Sequence, residues 1–531
     1  FVDFPWNDGS QKFSAPFVGV FNMTANHTTR LEVMGNNRAQ ISHTMVNNTF
    51  VTDIGGGSSF DITRDDPTAH RYTLIPSSGA SSTFEVSFGF TSSSSSPFFV
   101  SPFDTPESPS SFTSVAQSSE DAWASFWTDG GFVDVLTGST DARAEELQRR
   151  IILAQYLLRV NEAGDYPPQE SGLVNNGWYG KFHMEMFYWH CVHWALWGQW
   201  DLMHRSIGVY ADVFLPTAIT RSRVQQGWPA GARWSKMTDP TGRSAPGEIN
   251  ELLIWEEVHP LVFAEYEYRA FPTRATLKKW EDVVQETANW MSVFAFNNLS
   301  TSSFDLGPPM YVVSEDTDPF VTQNPSFELA YWHFGLQLAQ QWFERLGKPE
   351  MATTAIAGTA NLTWSGVRQH LSRLSITNGT YDVYEGIPAD FWTDPTFTND
   401  HPALVGLVGW LPPQPGVVDD AIAKATMEKV WTSWNISNCW GWDFGMLAMS
   451  AARNNETEKA IEWLLHPVFE FDDVGMPSGG ARVPTPYFPG AGSLLLAVAG
   501  MAAGWDGSEG VAPGFPATGW NVRVEGVSEI L

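Results

Sequence analysis

Residues 177–210 are the most aromatic stretch of the chain and place the strongest limit on its fold. They read GWYGKFHMEMFYWHCVHWALWGQWDLMHRSIGVY, with five of the chain's 25 tryptophans and four histidines. A helix that is aromatic on nearly every face has to be covered on nearly every face. We therefore predict one long, buried helix entered through Gly180. His183 and Glu185 should lie where the helix end opens into a cavity, because a buried carboxylate is costly unless it is paired or used.

The composition limits the class of protein and its partners. The chain has 531 residues, 43% of them hydrophobic and 17% charged, which is typical of a globular protein of about two to three domains. Its net charge of −29 repels nucleic acid and anionic membranes, and it has no run of basic residues. It also has no apolar stretch of about 18 residues that could span a membrane. Neutral molecules are therefore the expected substrates.

Eight Asn-X-Ser/Thr sequons indicate a secreted, extracellular glycoprotein. The first residue is Phe and not Met, which fits the removal of an N-terminal signal. Cys191 and Cys439 either form one disulfide or remain two buried thiols, and only their distance decides. We expect a monomer or a homodimer. The predicted glycosylation sites are Asn22, Asn26, Asn47, Asn298, Asn361, Asn378, Asn435 and Asn455.

The pattern of apolar residues changes near residue 140. Short alternating runs separated by Gly, Ser and Asn turns predict an N-terminal β-sandwich over residues 1–125, followed by a linker over residues 126–140. Twelve helical segments follow over residues 141–505, which predicts six helical hairpins closed into an (α/α)6 barrel. The tail, residues 506–531, contains a strand at 520–526 that we expect to return to the sandwich.

Several local stretches of the barrel region follow a family pattern. Residues 179–185 (YGKFHME) lead into the aromatic helix, residues 231–234 read GARW, and residues 256–259 (EEVH) open a later helix. Together with the order of sandwich and barrel, they resemble glycoside hydrolase family 65 of the six-hairpin glycosidases, which contains maltose, trehalose and kojibiose phosphorylases and hydrolases. The resemblance implies an (α/α)6 catalytic domain and sugar contacts from Glu185 and the GARW stretch.

The same resemblance indicates the general acid and the reaction. The family's acid is a Glu in a loop just before a helix that begins with Asn. Here that loop reads SEDTDP and contains Glu315, ahead of Asn324. Phosphorolytic members hold phosphate with a His and a Ser at a Gly-rich helix start, which here is residues 489–493 (PGAGS). Because this stretch has no His, the resemblance favours hydrolysis over phosphorolysis, with inversion as its course.

The residues themselves also indicate a pair of carboxyl groups. Hydrolysis of a glycosidic bond needs one carboxylic acid and one carboxylate, and the neighbouring aspartates favour a proton on Glu315. For the base we choose Asp443, at a predicted helix N-terminus that favours the ionised form. Trp440 and Trp442 beside it suit a pyranose ring. The alternatives are a solvated acidic turn for Glu315 and an ordinary helix cap for Asp443.

Other side chains compete for roles at the site. Glu257, next to His259, is the runner-up for the acid, and Glu170 and Asp400 are further candidates. The spacing of the histidines fits no metal site, and no phosphate-binding or dinucleotide motif occurs, so we expect neither metal nor cofactor. The predicted substrate-binding residues are Glu185, His183, Arg233, Trp234, Glu328, Trp440, Trp442 and Glu257.

These observations together predict a secreted glycoside hydrolase that is inverting and exo-acting. Its expected substrate is a neutral, α-linked oligosaccharide or polysaccharide. Two alternatives stay open. One is a polysaccharide lyase on the same barrel, which uses Tyr, His and Arg chemistry on uronic acids. The other is a carbohydrate-binding protein without turnover.

Overall fold

The computed structural model describes residues 1–7, 19–46, 48–77, 83–92, 111–173, 177–350 and 363–531. The predicted glycosylation sites Asn47 and Asn361 lie outside these ranges. The chain divides into two compact units, Phe1–Asp129 and Gly130–Leu531. None of the helices in the described ranges combines the length and the hydropathy of a membrane span.

The first unit contains two antiparallel sheets that share one core. Residues alternate between the two faces of a strand, so Ile41 and Ile54 of one sheet and Ile62 and Tyr72 of the other meet in that core. The strands of the larger sheet, in spatial order, are His27–Val33, Arg38–Met45, Asn48–Gly55 and Ser87–Ser92. Those of the smaller sheet are Val2–Asp3, Arg71–Pro76 and Phe60–Arg64. A further pair is Trp6–Asn7 with Gly19–Val20.

The first unit ends in a helix where the sequence predicts the end of the sandwich and a linker. Phe112–Asp129 is helical over 18 residues, and the strand Phe132–Asp134 follows it. The helix contains neither Gly nor Pro, and Trp123, Phe126 and Trp127 recur at its three- and four-residue spacing. The predicted boundary at residue 125 therefore falls within this helix, whereas residue 140 lies in the loop before Arg143–Glu162.

The second unit is rich in helices, most of them at predicted positions. Short turns of π-helix or 3-10 helix lie between several of them. The π-helical turns include Tyr210–Phe214 and Arg221–Gln225, and the 3-10 turns include Trp255–Val258 and Ala403–Leu407. The α-helices are Arg143–Glu162, Phe187–Leu196, Trp200–Ile207, Leu215–Thr220, Glu248–Leu252, His259–Ala270, Arg274–Phe294, Ser326–Leu346, Trp364–Gln369, Asp420–Ser433, Asp443–Arg453, Thr457–Leu464 and Phe488–Ala503.

The aromatic stretch is not one long helix. Trp178 has a φ of 45°, in the left-handed region, and Phe182–His183 is a strand. The helix begins only at Phe187 and ends at Leu196, and every residue of Phe187–Leu196 is buried, as predicted. Gly198, with a φ of 68°, separates it from the next helix. Glu185 therefore lies in the turn before the helix.

The last long helix, Phe488–Ala503, packs against Arg143–Glu162, Phe187–Leu196 and Asp443–Arg453. Small residues at its start permit this close packing. A Cβ atom on Gly492 would lie only 1.9 Å from the carbonyl oxygen of Trp189. The Gly-rich start of this helix is therefore required by packing.

The C-terminal strand does not return to the first unit. Arg523–Glu525 pairs in antiparallel register with Phe132–Asp134, so both strands belong to the second unit. The prediction of a strand at 520–526 is thus confirmed, and the prediction of its partner is wrong. Cys191 and Cys439 are both buried, free thiols.

Candidate active site

A small cavity of about 30 Å³ lies among loops that precede helices of the second unit. It brings together five predicted site residues: Glu315, Glu185, His183, Trp440 and Trp442. Its other lining residues are Glu170, Trp178, Met186, Lys236, Ser314, Asp400, His401 and Tyr487. Among the described residues, no cluster of three or more His, Cys, Asp and Glu side chains could hold a metal ion.

Backbone pairing places Glu185 beside Lys236. The strand Phe182–His183 pairs with Met237–Thr238, and the N–H of Glu185 donates to the carbonyl of Lys236 at 3.2 Å. Sequence reasoning missed Lys236, although it lies two residues beyond the GARW stretch. The available signal was a single lysine within an otherwise uncharged run from residue 234 to residue 238, since a buried ammonium group needs a carboxylate partner.

The cavity wall carries a row of alternating acidic and basic side chains. Lys236 donates to both Glu185 and Glu315. His183 Nε2 lies 3.1 Å from Glu185 Oε2, and His183 Nδ1 lies 3.4 Å from Glu170 Oε2. We call Glu170, His183, Glu185, Lys236 and Glu315 the acid row. It contains three carboxyl groups and two basic groups, so the carboxyl groups outnumber the basic groups by one.

The excess carboxyl of the acid row is that of Glu315. Burial would raise the pKa of Glu185, but Lys236 and His183 outweigh it and hold this pKa below its ordinary value. Partial burial raises the pKa of Glu315, against the opposing charge of Lys236. The side chain of Glu315 is 26% exposed, whereas those of Glu185 and Lys236 are 2% and 4% exposed. Glu315 is thus the member of the acid row that reaches solvent, and its raised pKa favours the protonated form.

The loop that carries Glu315 is held in an unusual conformation. Glu315 has a φ of 58°, which a residue with a side chain rarely adopts, and its N–H donates to the carbonyl of Val312 at 2.9 Å. Such strain persists where the surroundings enforce it, and it is common at functional sites. Below the loop, Glu328 Oε1 accepts the N–H of Val313 at 2.8 Å. Glu328 therefore supports the loop and lines a smaller, neighbouring cavity instead of the site itself.

A second charged group, which includes Asp400 and His401, lies at the same cavity. His401 Nδ1 lies 3.0 Å from Asp443 Oδ1, and His401 Nε2 lies 3.5 Å from Asp400 Oδ1. Arg482 donates to Asp400 Oδ2 at 2.6 Å. Burial would lower the pKa of His401, but Asp443 and Asp400 raise it to about 9. Two carboxylates thus face two positive groups, and the charges of this second group balance.

Asp443 itself does not line the cavity. It begins the helix Asp443–Arg453 as predicted, but its side chain has no exposed surface. Asp443 Oδ2 accepts the N–H of Trp440 at 2.7 Å, and the same carboxylate faces His401. The structure therefore contradicts the placement of Asp443 as a base in contact with substrate and makes it a residue that orients His401. Asp400 is the carboxylate that lines the cavity on this side.

Arg233, Trp234 and Glu257 also lie outside the cavity, in a buried cluster. Arg233 Nη1 lies 3.2 Å from both Glu256 Oε1 and Glu257 Oε2, and does not pair with Glu185. Trp234 Nε1 donates to Thr287 Oγ1 at 2.8 Å. Glu257 has no exposed surface, which excludes it as the acid. Both glutamates and the arginine are thus paired with each other inside the unit, and burial raises the pKa of Glu256 to about 7 and that of Glu257 to about 8.

Aromatic rings complete the wall of the cavity. Trp440 Nε1 donates to Asp400 Oδ1 at 3.0 Å, and the Tyr487 hydroxyl donates to Glu170 Oε1 at 2.8 Å. Burial raises the pKa of Tyr487 well above its ordinary value, and Glu170 adds to the rise, so this hydroxyl stays a donor. Sequence reasoning missed Tyr487, although it directly precedes the Gly-rich helix start that the resemblance indicated.

We compared the chain with known protein families, curated proteins and solved structures. No family model and no curated protein matches the chain. A structure assigned as a kojibiose phosphorylase from the human microbiome is similar, with a TM-score of 0.60 and 9% identity over 89% of this chain and 67% of that chain. A glycosidase in complex with glucose has a TM-score of 0.49 and 14% identity over 67% of this chain and 98% of its own. A bacterial glucoamylase complexed with acarbose has a TM-score of 0.44 and 12% identity, over 90% and 75%.

The chain therefore shares the helix-rich fold of the structure assigned as a kojibiose phosphorylase. The first of these structures carries that conclusion, since its similarity extends over most of the chain. The predicted resemblance to the kojibiose phosphorylase group is thus confirmed at the level of the fold.

Proposed function

We propose that this chain is a secreted, inverting glycoside hydrolase, built as a β-sandwich and an (α/α)6 barrel. Glu315 is the general acid and Asp400 is the general base. The observation that carries this proposal is the unequal balance of charge around one cavity. The acid row holds one carboxyl more than its basic groups neutralise, whereas the group around Asp400 is balanced. Two carboxyl groups held in different protonation states are what this hydrolysis requires.

The proposed reaction uses these two groups on opposite sides of the sugar. Glu315 donates its proton to the glycosidic oxygen as the bond from that oxygen to the anomeric carbon breaks. Asp400 takes a proton from the water that attacks the anomeric carbon from the other face. Glu185 and His183 bind sugar hydroxyls, and the rings of Trp440 and Trp442 contact the pyranose. His401 stays protonated, held by Asp443, and fixes the position of Asp400.

The charge of the cavity wall favours a neutral substrate, because its excess of carboxyl groups disfavours an anionic one. The expected substrate is the terminal sugar of an α-linked chain. The cavity of about 30 Å³ is well below the range of small-molecule sites, so its wall has to open for a sugar to bind.

Two rival reactions fit the described side chains less well. Phosphorolysis needs a positive group for phosphate, but in the described wall Lys236 and His401 already face carboxylates. A lyase needs a base to remove a proton beside the uronic carboxylate, but Tyr487 donates to Glu170 and keeps its proton. A binding protein without turnover has no use for the excess proton on Glu315.

A product screen tests the proposed reaction. The protein is incubated at mildly acidic pH with α- and β-linked disaccharides, glucans and plant polysaccharides, with and without phosphate, while NMR follows the anomeric signals. We expect a free monosaccharide of inverted anomeric form at a rate independent of phosphate. A sugar phosphate would establish phosphorolysis, an unsaturated uronic product would establish the lyase, and retained configuration would overturn the proposed mechanism.

Substitution of Glu315 by Gln tests the acid. We expect Glu315→Gln to lower kcat by roughly 10²- to 10⁴-fold. A glycosyl fluoride should still react, because its leaving group needs no proton. The matched control is Asp318→Asn, which removes an exposed carboxyl from the same loop and should leave turnover unchanged. Unaltered turnover of Glu315→Gln on a disaccharide would remove Glu315 from this role.

A further inference from the structure

A second, larger groove of the second unit has a volume of about 1070 Å³. Among the described residues, it shares none of its lining with the catalytic cavity. Its walls are mainly aromatic and aliphatic, and include Trp228, Trp290 and Phe304. Its described polar lining consists of amides and carboxylates, such as Gln323 and Glu251, without Lys or Arg. This chemistry matches a neutral sugar chain, which offers apolar C–H faces and hydroxyl groups.

One edge of the groove is a β-hairpin that carries a sequon. Phe296–Asn298 pairs with Ser303–Asp305, and the sequon Asn298-Leu-Ser300 begins at the end of the first strand. Residues two apart in a strand project to the same face. Phe296 and Asn298 therefore share a face, and both line the groove. Phe296 is 64% exposed, so the face of its ring is accessible to a group attached to Asn298.

The eight sequons differ in the residue that lies two positions before the asparagine. Before Asn298 this residue is aromatic, whereas before the other seven asparagines it is Val, Thr, Met, Ile, Ser or Arg. Asn298 Oδ1 accepts hydrogen bonds from the hydroxyl and the N–H of Ser300, at 2.6 and 3.1 Å. Asn298 Nδ2 donates to Asp305 Oδ2 at 2.8 Å. These contacts hold the amide at the groove edge and use one of its two hydrogens.

We propose that Asn298 carries an N-linked glycan whose first N-acetylglucosamine packs on the ring of Phe296 and whose following sugars lie in the groove. The occupant of the groove is thus the chain's own neutral glycan. It covers apolar surface, including Leu299, which is otherwise 85% exposed. This inference rests on the proposed secretion of the chain and not on its proposed hydrolase activity.

The attachment follows the ordinary chemistry of the modification. The donor is an oligosaccharide linked to a lipid diphosphate. The bond between its anomeric carbon and the diphosphate oxygen breaks, and a bond from that carbon to Asn298 Nδ2 forms. The amide loses one proton, the lipid diphosphate leaves, and nothing is oxidised or reduced. The remaining amide hydrogen keeps the hydrogen bond to Asp305.

Mapping of the glycans on the full chain secreted from a eukaryotic host tests the attachment. We expect glycopeptide mass spectrometry to find Asn298 occupied, and its glycan to be released by peptide N-glycosidase F under native conditions more slowly than that of Asn378. Asn378 is a matched control, because it lies in a similar hairpin but has an aliphatic neighbour, Ile376, two positions before it. An unmodified Asn298, or equal release from both sites, would overturn the proposal.

A double-mutant cycle tests the contact with Phe296. Ser300→Ala removes the sequon and keeps the Asn298–Asp305 hydrogen bond. We expect it to lower Tm by about 1 to 2 °C with Phe296 present and to leave Tm unchanged in the Phe296→Ala background. The same variants, made without glycans in a bacterial host, measure the contribution of the Ser300 hydroxyl alone. An equal loss in both glycosylated backgrounds would show that the glycan does not pack on Phe296.

Discussion

Lys236 donates a hydrogen bond to the carboxyl of Glu315, which lies 79 residues further along the chain. The same ammonium group also bonds with Glu185, 51 residues before it. One positive charge therefore serves two carboxyl groups. The more deeply buried one, Glu185, is favoured as the ionised group, and Glu315 is favoured as the protonated one.

Removal of this positive charge should change how activity depends on pH. Lys236 lowers the pKa of Glu315, so Lys236→Met should raise that pKa and move the basic limb of the kcat/KM profile to higher pH. We also expect kcat to fall on the order of 10²-fold, because Glu185 loses its partner and its position. Lys236→Arg keeps the charge and should keep the limb in place. An unchanged pH profile in Lys236→Met would show that Lys236 does not set the pKa of the general acid.

The base should be identified by chemical rescue. Asp400→Asn should lower kcat by roughly 10²- to 10⁴-fold. Azide should restore turnover by attacking the anomeric carbon in place of activated water, and the product should be a glycosyl azide of inverted configuration. Asp443→Asn is the comparison, because Asp443 contacts His401 and not the cavity. Rescue of Asp443→Asn instead of Asp400→Asn would return the role of base to Asp443.

The buried His401 should make the second unit less stable in mild alkali. Its pKa rises from 6.5 to about 9 in the folded chain. Its stabilising contribution is therefore complete below pH 6.5 and is lost as pH rises through 9. The full loss corresponds to about 3 kcal/mol. We expect Tm to fall over this range by calorimetry.

A variant isolates this contribution of His401. His401→Gln should flatten the fall in Tm between neutral and alkaline pH, since the group that releases its proton is gone. His370→Gln, at an exposed histidine, is the control and should keep the fall. An equally steep fall in His401→Gln would assign the pH dependence to other groups.

The cluster around Arg233 should be among the most sensitive parts of the core. Arg233→Met leaves Glu256 and Glu257 buried together without a positive partner, and should cost about 3 to 5 kcal/mol of unfolding free energy. Arg243→Met removes a surface ion pair with Asp239 and should cost less than about 1 kcal/mol. Urea unfolding at pH 7 measures both. Equal losses in the two variants would contradict the structural role of Arg233.

Part of the candidate site could be read from residue types and local pattern. Glu315, Glu185 and His183 were predicted from an acidic loop and from charged groups in an aromatic stretch, and the structure places all three on one cavity. Arg233 and Glu257 carried equally good local signals but face each other in the interior. A local motif identifies a residue that must be paired, and it does not identify the partner.

The sequence by itself determined most of the helices of the second unit and the burial of Phe187–Leu196, because periodicity and hydrophobicity are local properties. Only the tertiary structure decided which carboxyl has the raised pKa. The pKa of Glu315 depends on Lys236, Glu185 and the surrounding solvent, and these are brought together by strand pairing and loop packing between distant parts of the chain. Electrostatic interactions act through space, and so the proposed assignment of acid and base rests on the fold.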